Sequence, residues 1–252
     1  NDGRSDAIGF NIENSESIYV SESNFAIRSS GQTQGYTHPQ AANITCDDCI
    51  ISGNIFDSHQ SSSFWGGISY SGMRSTIDNN TIYENESAIT INGSDNIVEK
   101  NSITASSIKG IEVSSSNNII RMNRLLNMTS TGLEVSSGNN EVSNNYIHLE
   151  GNLTNVGIKL TSGSSNSSVL YNSVNNTSTP TNPTGSVGIQ VDGTPSNLTV
   201  KNNIFACTGG GMPVSIPSQQ GVHQWDYNNY FSPNGYIGSY NNIEYDSIFN
   251  WR

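Results

Sequence analysis

The sequence predicts an all-β fold, a right-handed three-faced parallel β-helix of about nine rungs. Two observations carry this. An Asn/Ser column recurs 21–31 residues apart: Ser23, Asn54, Asn80, Asn101, Asn123, Asn145, Asn172, Asn203 and Asn229. Two residues after each stands an apolar side chain, from Phe25 through Ile103 and Leu125 to Phe231. A Gly-apolar-x-apolar tetrad precedes most members, among them Gly9-Phe10-Asn11-Ile12, Gly67-Ile68-Ser69-Tyr70, Ala88-Ile89-Thr90-Ile91, Gly110-Ile111-Glu112-Val113, Gly132-Leu133-Glu134-Val135, Gly157-Ile158-Lys159-Leu160 and Gly188-Ile189-Gln190-Val191. Units of this size cannot bury an apolar face alone, so they stack.

Each rung reads as three short strands. In the tetrad at 110–113, alternation turns Ile111 and Val113 inward and Glu112 outward. By the same rule Ile89, Ile91, Leu133, Val135, Ile158, Ile189 and Val191 face the core. The turn Ser114–Asn118 leads to a second strand at Ile119–Arg121. Asn123 then turns the chain into a third strand around Leu125. Asn and Gly suit these corners because they tolerate left-handed backbone. An inward Asn can also hydrogen-bond to its counterparts above and below, relieving buried backbone groups. Extra residues fall after the third strand, at 27–42, 57–66, 148–156, 175–187 and 206–222. They predict two loop ridges around a shallow saddle over the central rungs.

Composition narrows the function. Only 33% of the residues are hydrophobic, which suits a thin core wrapped in polar faces. A net charge of −11 argues against nucleic acid, which needs a basic stripe. No apolar run is long enough for a helical membrane span. The chain starts at Asn1 without a signal peptide, as a mature product or a fragment would. Residues 1–235 read as one β-helix, with 236–252 as a C-terminal cap or the start of a further segment. Asn1–Ala7 is a thin cover for the first rung. The N-terminal end is therefore expected to be closed by further residues or by a second copy stacked end to end.

The chain resembles the right-handed parallel β-helix repeat proteins of the pectate-lyase-like superfamily over roughly residues 7–235. This resemblance implies a secreted or surface protein. It leaves polysaccharide lyases, glycoside hydrolases, periplasmic accessory proteins and surface scaffolds all open. Asp47-Asp48-Cys49-Ile50 and Gly66-Gly67-Ile68-Ser69 resemble polygalacturonase motifs. Gly66, however, stands where that family has His, and the Asp pair precedes a second strand rather than lying on a first.

Candidate chemistry is sparse. The outward column Asn11, Ser69, Thr90, Glu112, Glu134, Lys159, Gln190 places two carboxylates on neighbouring strands, about 4.8 Å apart, beside a lysine. Like charges so close are destabilising and shift each other's titration. If the protein is an enzyme, Glu112 and Glu134 are the acid and the nucleophile or base, tuned by Lys159. The same pair could hold Ca2+, or form a solvated Glu–Lys patch. Tyr36, His38, His59 and Trp65, with Tyr70 and Thr90, are candidate sugar-binding residues. Cys46 and Cys49 could form a disulfide, half a metal site or a redox pair, or Cys49 could occupy the inward position that Leu198 holds later. No His or second Cys pair completes a metal set, so no resident metal is predicted. Glycosylation candidates are Asn43, Asn79, Asn85, Asn92, Asn127, Asn152, Asn166, Asn175 and Asn197, at about the frequency chance gives in so Asn- and Ser-rich a chain.

Two function classes follow. The favoured one is a non-catalytic extracellular or cell-surface protein: a structural, adhesive or glycan-binding scaffold, self-associating end to end or free. The alternative is a polysaccharide hydrolase or lyase working in an open groove. A lyase needs a basic residue among acids, and here Arg74, Lys100, Lys109, Arg121, Arg124, Lys159 and Lys201 are scattered.

Overall fold

A computed structural model describes residues 10–26, 40–57, 66–83, 86–180, 185–218, 223–233 and 236–247. They form a parallel β-helix with no α-helix among the described residues. The first sheet has 11 strands, and the second and third have nine each. Every strand pairs in parallel with its equivalent one rung away, except the last. Gly238–Tyr240 extends the first sheet past residue 235, and Ile243–Tyr245 then folds back antiparallel beside it. The rung at 40–47, with Ala42 and Ile44 inward, and the rung at Met212–Ile216 are first-sheet strands where the sequence suggested insertions. Pro213 occupies the glycine slot of the second, which hid the tetrad. Of the insertions expected at 27–42 and 57–66, residues 27–39 and 58–65 lie outside the described residues.

The register bears out the inward pattern. Ile89, Ile111, Leu133, Ile158 and Ile189 align across successive strands and are fully buried, and so are Ile91, Val113, Val135 and Val191. A one-residue slip would turn this stack to solvent. The tetrad glycine permits close rung-to-rung contact: a Cβ on Gly132 would lie 2.6 Å from the Gly157 carbonyl and 2.5 Å from Ile147.

Corners are where a β-helix loses backbone partners, and asparagines restore them. Asn123 makes four side-chain hydrogen bonds. Its Oδ1 accepts from the Asn101 backbone N–H and Nδ2, each at 3.0 Å, while its Nδ2 donates to Val98 O at 2.9 Å and Asn145 Oδ1 at 3.0 Å. That uses the amide's full capacity. The pattern repeats at Asn80, Asn101, Asn145, Asn172 and Asn203, while Asn54, where the column begins, accepts from the Ser23 backbone N–H. The last member is Asn228, not Asn229: Asn203 N–H donates to Asn228 Oδ1 at 3.0 Å. Tyr230 therefore stacks inward on Phe205, and Phe231 is exposed.

A second ladder, at the corner between the first and second sheets, was not apparent in the sequence. Cys49, Ser75, Asn96, Asn118 and Asn140 each donate a backbone N–H to the side-chain oxygen one rung on, ending at Ser167. Leu198 N–H donates to His223 Nδ1 at 3.2 Å, so the proton sits on Nε2, which is buried without a partner among the described residues. Cys49 does hold the position that Leu198 holds later, but it is joined to Cys46 in a disulfide. Cys207 is free and buried, and burial pushes its thiol up to about 12.

Asn123→Ala is expected to lower stability by about 1–3 kcal/mol, because Val98 O and the Asn101 N–H lose buried partners; denaturant melts check this. Burial holds the His223 pKa below its ordinary 6.5. A base with a depressed folded pKa supports the fold above pH 6.5, and that support is lost as pH falls below it. Melting temperature should thus fall on acidification through this range, and His223→Gln should flatten that dependence.

Candidate functional site

The best-organised set of charged side chains lies on the outer face of the first sheet. Register puts Asn43, Ser69, Thr90, Glu112, Glu134, Lys159, Gln190 and Ser215 in one column. Glu112 and Glu134 are direct neighbours, as the spacing predicts. Unscreened, they would repel. Lys109, at the start of the Glu112 strand, resolves this. Its Nζ lies 2.6 Å from Glu112 Oε1 and 2.9 Å from Glu134 Oε1. Lys159 approaches Glu134 at 3.8 Å and Asp192 at 3.5 Å, and Gln190 donates to Asp192 at 2.7 Å.

The result is a line of alternating sign running Glu112, Lys109, Glu134, Lys159, Asp192. The side chains are partly shielded, with Glu134 only 13% exposed. Burial alone would pull the Lys109 pKa down; its bonds to Glu112 and Glu134 outweigh that and leave it above the usual lysine value. Lys109 is thus the central group, and the sequence reading overlooked it in favour of Lys159. Simple strand alternation does not say that a lysine three residues before Glu112 reaches across to it.

The other expected site residues scatter. Tyr70 is fully buried and donates its hydroxyl to the Cys46 carbonyl, so it belongs to the core rather than to a ligand site. The tetrad register demands this, since Tyr70 aligns with Ile44 and Ile91. Thr90 lies on the outward column beside Ser69 and Glu112. Tyr36, His38, His59, Trp65 and Asn85 fall outside the described residues. Asn79, Asn92, Asn152, Asn166 and Asn197 are exposed, and Asn43, Asn127 and Asn175 are half-buried. Asp47 and Asp48 meet Arg74, which binds Asp48 through two 2.9 Å contacts. The hydrogen bond from that guanidinium holds the Asp48 carboxyl below its usual range.

Among the described residues no cluster of three or more His, Cys, Asp or Glu side chains is arranged for a metal ion. No helix there is long and apolar enough to cross a membrane. Small pockets among the described residues include a polar one beside Asn14, Glu16, Thr45 and Asp47 and an aromatic one beside His223, Trp225, Tyr240 and Tyr245, each of about 230 Å³.

Replacing Lys109 by Met should destabilise the protein by about 1 kcal/mol, since two facing carboxylates lose their shared counter-ion. Adding Glu134→Gln should recover part of that loss, as a double-mutant cycle by thermal melting would show.

The sequence family described as "NosD: Periplasmic copper-binding protein (NosD)" matches residues 2–186, well over half of the chain. No curated protein and no solved structure matches it.

Proposed function

The chain belongs to the NosD family, and we propose on that footing that it is an exported scaffold of the cell envelope, holding an extended glycan or surface partner rather than cutting it. The family's description as periplasmic supports the location. So does the Cys46–Cys49 disulfide, a bond that persists in oxidising compartments.

The observation that carries the non-catalytic reading is the position of Lys109. A glycosidase pair needs one carboxyl to give up a proton and the other to attack or activate water. Here both carboxylates close on one ammonium group. The arrangement serves a rigid, hydrogen-bonding face better than proton transfer.

Copper, named in the family description, does not fit the described residues. Cys46 and Cys49 are joined, and Cys207 is buried. His148 has Nδ1 3.2 Å from Asn127 Oδ1 and Nε2 3.4 Å from Thr177 Oγ1. His223 spends Nδ1 on Leu198.

Incubation with a panel of neutral and acidic polysaccharides tests the reading. Retention of the protein on at least one polysaccharide is expected, with no reducing ends and no unsaturated products. Product formation that disappears in Glu134→Gln would establish the hydrolase or lyase instead.

A further inference from the structure

The corner between the second and third sheets carries a feature that the ionic column does not explain. The residue just before each ladder Asn adopts left-handed backbone: Asn79, Lys100, Met122, Asn144, Tyr171, Asn202 and Tyr227 have φ between 54° and 58°. Asn suits this conformation, whereas a bulky ring does not. Yet Met122, Tyr171 and Tyr227 occupy it, every second rung, and all three are exposed, Tyr227 at 76%.

The intervening rungs complete the pattern. Where the corner is Asn144 or Asn202, the first outward residue of the following strand is large, Tyr146 or Ile204, and both are exposed. Where the corner is large, that strand residue is polar: Arg124, Ser173 or Asn229. Five successive rungs therefore each present one large exposed side chain at this edge. Strained residues that display apolar surface point to a ligand rather than to packing.

The geometry points to an anionic glycan chain lying along this edge, parallel to the helix axis; the inference rests on the scaffold reading above. Tyr171 and Tyr227 sit two rungs apart, about 9.6 Å at the usual strand spacing. That is close to the length of one disaccharide, so rings at this interval stack on every second sugar. Asn202 lies on the rung between them and Asn144 on the rung between Met122 and Tyr171, both exposed with amides that can meet hydroxyl groups. Charge supports an acidic chain. Among the described residues Arg124, on the stripe itself, has no carboxylate partner, and Lys201 donates to the neutral Gln224 at 2.7 Å and forms no ion pair. The neighbouring Asp226 turns a carboxylate oxygen onto the Tyr227 backbone N–H at 2.9 Å.

Calorimetric titration with two hexasaccharides tests this: one alternating glucuronate and N-acetylglucosamine, the other a neutral β-1,4-glucan. The wild type should bind the uronate chain more tightly. Tyr171→Asn combined with Tyr227→Asn installs the residue that neighbouring rungs use. It should leave the melting temperature unchanged or raised while weakening binding about tenfold or more. Arg124→Gln with Lys201→Gln should abolish the preference for the charged chain. Unchanged affinity in the tyrosine double variant overturns the proposal, and so does a fall in its melting temperature. Binding of neither hexasaccharide by the wild type overturns it too. Retention of wild type and tyrosine variant alike on some other polysaccharide would keep the scaffold reading and remove only the stripe.

Discussion

The structure depends on satisfying the backbone at its corners. Along the faces, parallel pairing connects each strand to the rungs on either side. At a corner the chain turns and the ladder of backbone bonds would break inside a water-free core. Asn54 through Asn203 answer this by offering an amide that accepts from one rung and donates to the next, and Asn228 ends the series as an acceptor. Because every amide is oriented the same way, the bonds polarise one another in series. The apolar core is thin, and it holds its register because these columns at two corners permit only one stagger.

Much of this fold is legible in the sequence because a β-helix writes its neighbours into a period. The tetrads locate inward and outward residues, and the Asn column locates one corner. Legibility fails where a residue meets the same need by other means. Pro213 in a glycine slot conceals a rung, and Ala41 before Ala42 conceals another. The second corner ladder mixes Ser75, Asn96 and Ser167 with Cys49 and Leu198, so it shows no single letter to follow. At the C-terminal end Asn228 and Asn229 are adjacent, and only the pairing of Ile204 with Asn229 separates them.

The charged face was half legible. Adjacency of Glu112 and Glu134 follows from spacing alone, but the Lys109 bridge depends on side-chain reach between columns. The aromatic edge was missed although a signal existed: the residue before the ladder Asn is usually small or polar, and Tyr171 and Tyr227 break that habit. The two faces have different characters. One is a flat polar strip of alternating charge; the other is a ridge of large exposed side chains, three of them tyrosines.

The reversed strand Ile243–Tyr245 has a consequence for how a sheet of this kind could propagate. An exposed parallel edge is a template: any chain with the same alternation can add to it in the same direction. An antiparallel strand changes the spacing of the donors and acceptors it presents, from an even series to alternating close and wide pairs. A further copy approaching that edge of the first sheet would meet the wrong spacing in the wrong direction. Among the described residues, the two ends of the first sheet thus present backbone edges of different spacing, parallel at Phe10–Glu16 and antiparallel at Ile243–Tyr245.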